Sequence, residues 1–107
     1  MVTGEKFMEL ALSFPGTAQK PHFDRTGFSV IGKRMLATYL AKNNTANIFL
    51  TPSEQAIFCK MDTKNIYPVP NKWGEKGATT FELNKVPKEF ILEALLSAYN
   101  EVIKRKK

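Results

Sequence analysis

The sequence predicts an α+β fold, a two-layer sandwich in which an antiparallel sheet is backed by helices. Three observations carry that prediction. Apolar residues recur at helical spacing near both ends of the chain, the period changes to two between Phe28 and Tyr39, and a complete helix-start signal stands at Thr51-Pro52-Ser53-Glu54. Strands joined by a short turn pair antiparallel, and such a sheet buries one face against helices.

The first helix starts at Thr3, a capping residue, with Glu5 placed to favour the positive end of the helix dipole. Phe7, Leu10, Ala11 and Phe14 form its buried face, and Pro15-Gly16 stops it. Residues 15–26 read as a polar connection. From Gly27 the pattern alternates, and Gly32-Lys33 reads as a two-residue hairpin turn. That turn sets Val30 opposite Met35 and Phe28 opposite Ala37, so one side of the hairpin is apolar. Asn43-Asn44 makes the next turn, and Ala46 to Leu50 forms a third strand.

Thr51 then caps a second helix, Pro52 occupies its first position, and Glu54 closes a capping box. The helix runs to about Met61 and is expected to bury Ile57, Phe58 and Met61. Thr79 to Leu83 reads as a further strand, and Pro87 opens the last helix. Two adjacent stripes run along that helix, Ile91/Leu95/Ala98/Val102 and Leu92/Leu96/Tyr99/Ile103. A face this wide needs a sheet or a partner to cover it. The expected order is α-β-β-β-α-β(-β)-α.

Between the second helix and the later strand lies Tyr67-Pro68-Val69-Pro70-Asn71-Lys72-Trp73-Gly74-Glu75-Lys76-Gly77, which holds the only tryptophan. Two prolines bar a helix at its entry, and two glycines permit turn conformations closed to other residues. Trp73 is thus expected on a shaped loop. An aromatic between Lys72 and Lys76 is placed to stack on a base, a sugar or a peptide, or to plug the local core. The sequence leaves both open.

The 107 residues make one domain, residues 1–107, with room for a single two-layer core. No apolar run approaches the roughly 18 residues that span a bilayer. Glu5 and Glu9 interrupt the N-terminal apolar pattern, which argues against a signal peptide. Cys59 is alone, which fits a reducing compartment, so a cytoplasmic location and no membrane partner are expected. The formal charge is +6, yet Lys104, Arg105, Lys106 and Lys107 account for four of the 16 basic residues. They leave 12 against 10 acidic residues in the body, so most of the excess charge is a tail.

Nothing in the pattern is an enzyme signature. His22 and Asp24 are too few for a metal site, and neither a metal nor a cofactor is expected. Cys59, beside Phe58 with no activating cation in sequence, reads as a buried inert thiol. A Cys59–His22 nucleophilic pair lacks any oxyanion loop. Gly74-x-x-Gly77 lacks the lysine and the strand-to-helix setting of a phosphate loop.

Several segments together resemble the MmcQ/YjbR family of small bacterial proteins. They are Phe14-Pro15-Gly16-Thr17, Lys20-Pro21-His22-Phe23-Asp24-Arg25, Thr45-Ala46-Asn47, Pro68-Val69-Pro70-Asn71-Lys72-Trp73-Gly74 and Ala94-Leu95-Leu96-Ser97-Ala98-Tyr99. The likeness runs from about residue 5 to 103, and the NKWG stretch is its specific part. It implies an antiparallel sheet backed by helices, similar to secretion chaperones, and a DNA-binding role suggested from a double-wing shape. Many relatives carry a second Trp where this chain has Ala78.

Two functions follow as expectations. The first is a nucleic-acid-binding module for DNA or RNA, using Lys33, Arg34, Lys72, Trp73 and Lys76, with phosphate contacts supplying affinity and Trp73 stacking. The second is a protein-interaction or chaperone-like module that binds a peptide or forms a homodimer, supported by the wide last helix.

Overall fold

The computed structural model describes residues 2–104. Helix α1 (Gly4–Leu12) is followed by strands β1 (Thr17–His22), β2 (Arg25–Val30), β3 (Met35–Leu40) and β4 (Thr45–Phe49). Then come α2 (Pro52–Met61), β5 (Ile66–Pro68), the short α3 (Lys72–Glu75), β6 (Ala78–Glu82) and α4 (Lys88–Lys104). All six strands form one antiparallel sheet in the order β1-β2-β3-β4-β6-β5. The α+β class is present, and the expected order holds with two additions, a fourth strand ahead of α2 and the short α3 between β5 and β6. Residues 105–107, most of the basic tail, lie outside the described residues.

Local signals set the elements that the sequence marked. Thr3 Oγ1 accepts from the Lys6 amide at 3.1 Å and starts α1. At α2 the capping box is complete: the Glu54 amide donates to Thr51 Oγ1 at 3.2 Å, and the Thr51 amide donates to Glu54 Oε1 at 3.0 Å. Phe28 faces Ala37 as the alternation requires.

The structure corrects four expectations. Residues 15–26 are not a plain connection, because Thr17–His22 pair with Arg25–Val30 as β1, a polar edge strand. Edge strands bury little, so their sequences need not alternate. Met35 pairs with Ser29 rather than with Val30, because the register shifts between Phe28 and Ser29. The tight turn is centred on Ile31-Gly32, with the Lys33 amide donating to the Val30 carbonyl at 2.8 Å and Gly32 at φ +81°. Finally, α2 buries Phe58 alone, and Ile57 and Met61 are exposed.

Helices α1, α2 and α4 share one face of the sheet. α4 packs on β2, β3 and β4, α1 packs on β1 and α4, and α2 packs on β5 and α4. The cross-strand row Thr26–Tyr39–Ala46–Phe81–Ile66 faces this layer. Phe7 stands edge-on to Phe28 at 5.7 Å and stacked on Tyr39 at 5.8 Å, and Phe58 meets Phe81 at 6.0 Å. On α4 the stripe Ile91/Leu95/Ala98/Val102 is buried, whereas Leu92, Leu96 and Ile103 are 40–45% exposed. The sheet therefore covers half of the wide face. Among the described residues no helix is long and apolar enough to cross a membrane.

Candidate functional site

Among the described residues, α1, α2 and α4 leave the other face of the sheet to the short α3. The central row of this face runs Lys20–Gly27–Thr38–Asn47–Thr80–Tyr67 across all six strands. Alternation puts polar residues here because their neighbours in sequence fill the core. Thr80 Oγ1 donates to Asn47 Oδ1 at 2.7 Å, and Arg25 Nη1 lies 3.5 Å from Thr38 Oγ1. The shift in register turns Met35 onto this face. Its Cε lies 2.9 Å from where a Cβ on Gly27 would stand, so glycine leaves the thioether its place.

Over this floor lies a concave groove of about 800 Å³. Arg25, Arg34 and Lys76 line it together with His22, Phe23, Phe49 and Trp73, and among the described residues no carboxylate does. The acidic Glu82 shares this face of the sheet, but its carboxylate accepts from the Tyr67 hydroxyl, a contact that pushes the phenol up to about 12. The groove is thus a cationic concavity with aromatic walls. Ala78 is part of its lining, opposite Phe49.

The Trp73 wall is built by close backbone approach. Trp73 sits in α3 rather than on an irregular loop, and the Asn71 side chain caps that turn by accepting from the Trp73 amide at 2.9 Å. A Cβ on Gly74 would collide with the Val69 carbonyl, and one on Gly77, at φ +117°, with the Leu50 carbonyl. Only glycine allows these approaches, which explains both glycines of the motif. Gln55 Nε2 then donates to the carbonyls of Gly74 (2.9 Å) and Ala78 (3.1 Å), tying the wall to α2. Trp73 is 64% exposed, so it does not plug the core, and Lys76 Nζ lies 5.5 Å from its ring centroid.

The opposite corner is the β1–β2 turn. Phe23 is 94% exposed and has φ +62°, a left-handed conformation that costs a bulky residue about 1–2 kcal/mol. Its one ring neighbour is His22, edge-on at 4.9 Å. A strained, exposed phenylalanine with almost no packing is an outlier for a residue of structural purpose.

Of the five residues expected at a site, Arg34, Trp73 and Lys76 meet in the groove. Lys33, in the β2–β3 turn, and Lys72, the first residue of α3, do not line it. Arg25 and Phe23 were missed. Their signal was the segment Lys20-Pro21-His22-Phe23-Asp24-Arg25, which is a hairpin around Phe23-Asp24 rather than a connection.

Cys59 is half-buried rather than buried, packed against the core, and desolvation pushes its thiol up. It belongs to the helical layer, whereas His22 lines the groove, so the two form no pair.

The fold has a solved counterpart. The chain superposes on the crystal structure of Deinococcus radiodurans protein DR2400, described as a DUF419 domain, with a TM-score of 0.82 and 19% identity over 98% of this chain and 81% of that one. No family model matches the chain, and no curated protein sequence does. The likeness to DR2400 is one of fold: this chain shares its architecture with a DUF419 domain.

Proposed function

We propose that the chain is a nucleic-acid-binding module and that the groove is its binding surface. One observation carries the reading: Arg25, Arg34 and Lys76 line a concavity walled by aromatic rings and, among the described residues, by no carboxylate. Phosphates supply the negative charge that such a surface attracts, and bases supply π-faces for its rings. The family-like segments, above all NKWG, and the fold shared with a DUF419 domain support membership of the MmcQ/YjbR family, with the bacterial origin and DNA-binding role that go with it. The lone Cys59 supports a cytoplasmic setting. The reading includes no catalysis, metal or cofactor.

An electrophoretic shift assay on mixed DNA and RNA at two salt concentrations tests it. Binding that weakens as salt rises, and that is abolished in the Arg34→Ala/Lys76→Ala variant, is the expected result. Absence of a shift at low salt with both nucleic acids refutes the reading.

The exposed stripe Leu92/Leu96/Ile103 on α4 favours a second reading, a protein-interaction or chaperone-like module whose partner is a peptide or a second copy. Light scattering of the wild type against Leu96→Glu tests the homodimer. A monomeric mass for both removes that form of the reading.

A further inference from the structure

We infer that the groove takes single-stranded nucleic acid several nucleotides long, with one base stacked on Phe23 and another on Trp73. The inference rests on the nucleic-acid reading and names its ligand class.

Shape decides between duplex and single strand. Duplex DNA is read by a convex element entering a groove about 12 Å wide. Here α1, α2 and α4 lie on the far face of the sheet, and α3 has only four residues. The cations and aromatics line a concavity instead, and a concavity receives a strand. Two members of the polar row, Thr38 and Asn47, line the concavity; Thr38 is buried, and the half-buried Asn47 offers its side-chain amide to a splayed base.

Length follows from the register. Phe23 precedes Arg25, the first residue of β2, and the next residue, Thr26, lies in the cross-strand row of Tyr39, Ala46 and Phe81, near the last residue of β6. Trp73 lies before Ala78, at the other end of β6. The strand ends that follow the two rings in sequence, Arg25 and Ala78, therefore stand at diagonal corners, separated by three inter-strand spacings and about four residues of strand, roughly 20 Å. No single base reaches both. At about 3.4 Å per stacked nucleotide, roughly six nucleotides bridge the corners, and fewer do so if the strand is stretched. Arg25 lies toward the Phe23 corner and Lys76 toward the Trp73 corner, so phosphates between the two bases have cations along the path.

Phe23 is the stronger half of the inference. Its positive φ and near-complete exposure are both unfavourable in the free protein. A ligand base would cover the ring.

Fluorescence anisotropy with labelled oligothymidylates and oligouridylates of two to ten nucleotides, and with a 12-base-pair duplex, tests this. Affinity should rise with length to about six nucleotides and then flatten, with the duplex at least about tenfold weaker. Trp73→Ala and Phe23→Asn should each weaken the hexamer roughly 5- to 100-fold, the range for removing one stacked ring. Asparagine tolerates positive φ, so Phe23→Asn should melt no lower than the wild type, which separates ligand stacking from structure. Duplex binding as tight as single-strand binding, or hexamer affinity unchanged in both variants, overturns the inference and leaves the nucleic-acid reading standing. No binding to any of these probes overturns both.

Discussion

The carbonyl of Val69 occupies the place that a side chain on Gly74 would need. Because the obstacle is backbone, it cannot rotate away, and any Cβ at Gly74 must push the entry segment and α3 apart. Gly74→Ala is therefore expected to destabilise the fold by about 1–3 kcal/mol, the usual range for overpacking. Urea unfolding gives the size of the loss. The emission of Trp73, the only tryptophan, reports whether its wall has moved.

Thr51 and Glu54 satisfy each other's amides at the start of α2. Thr51→Ala leaves the Glu54 amide without its intrahelical substitute and should cost about 1 kcal/mol. An unchanged urea midpoint would show that the cap contributes nothing to the folded state.

The Tyr67 hydroxyl donates to Glu82, and that hydrogen bond, followed by desolvation and the Glu82 charge, raises the phenol to about 12 from its ordinary value near 10. The folded state thus holds this proton more tightly than the unfolded chain. The stability it contributes is complete below pH 10 and disappears as pH rises through about 12. Tyr67→Phe should lose less stability than the wild type over that interval. Parallel curves for the two proteins would show that the bond does not couple to folding.

Groove cations and outlying cations should behave differently. Arg34→Ala and Lys76→Ala remove charge from the lining, whereas Lys33→Ala and Lys72→Ala remove it from outside. For a bound single strand, each phosphate that a groove cation no longer neutralises should flatten the log–log salt dependence by about 0.7. The outlying pair should change it by less. Deleting Lys104 to Lys107 should weaken binding modestly and leave any preference intact. Equal effects of the inner and outer pairs would mean that affinity follows net charge alone.

The helices were legible because their signals are local. A cap, a proline and an apolar stripe occupy neighbouring positions, and α1, α2 and α4 each carry such signals. β1 was not legible, since an edge strand exchanges hydrogen bonds without burying side chains and Thr17–His22 have no apolar face. The shift that sets Met35 against Ser29 was also hidden, because alternation presumes an unbroken ladder. The same division holds at the groove. Trp73 and Lys76 declared themselves by clustering in sequence, and Arg34 by its place in a turn. Phe23 and Arg25 belong to the groove only because β1 and β2 fold into a hairpin at its far corner, a relation no short window contains.

An uncovered sheet face is a hazard when the sheet also has open edges, since strands of a neighbouring molecule add there. The outer strands here are β1 and β5, and each contains a proline, Pro21 and Pro68. A proline withholds one amide from any strand laid alongside and disturbs its pairing. The last three residues of β1 are interrupted in this way, and β5 is only three residues long. The molecule can leave the groove side of its sheet without α1, α2 or α4 over it because both borders resist growth from chain to chain, so crowding at high concentration should not zip copies together edge to edge.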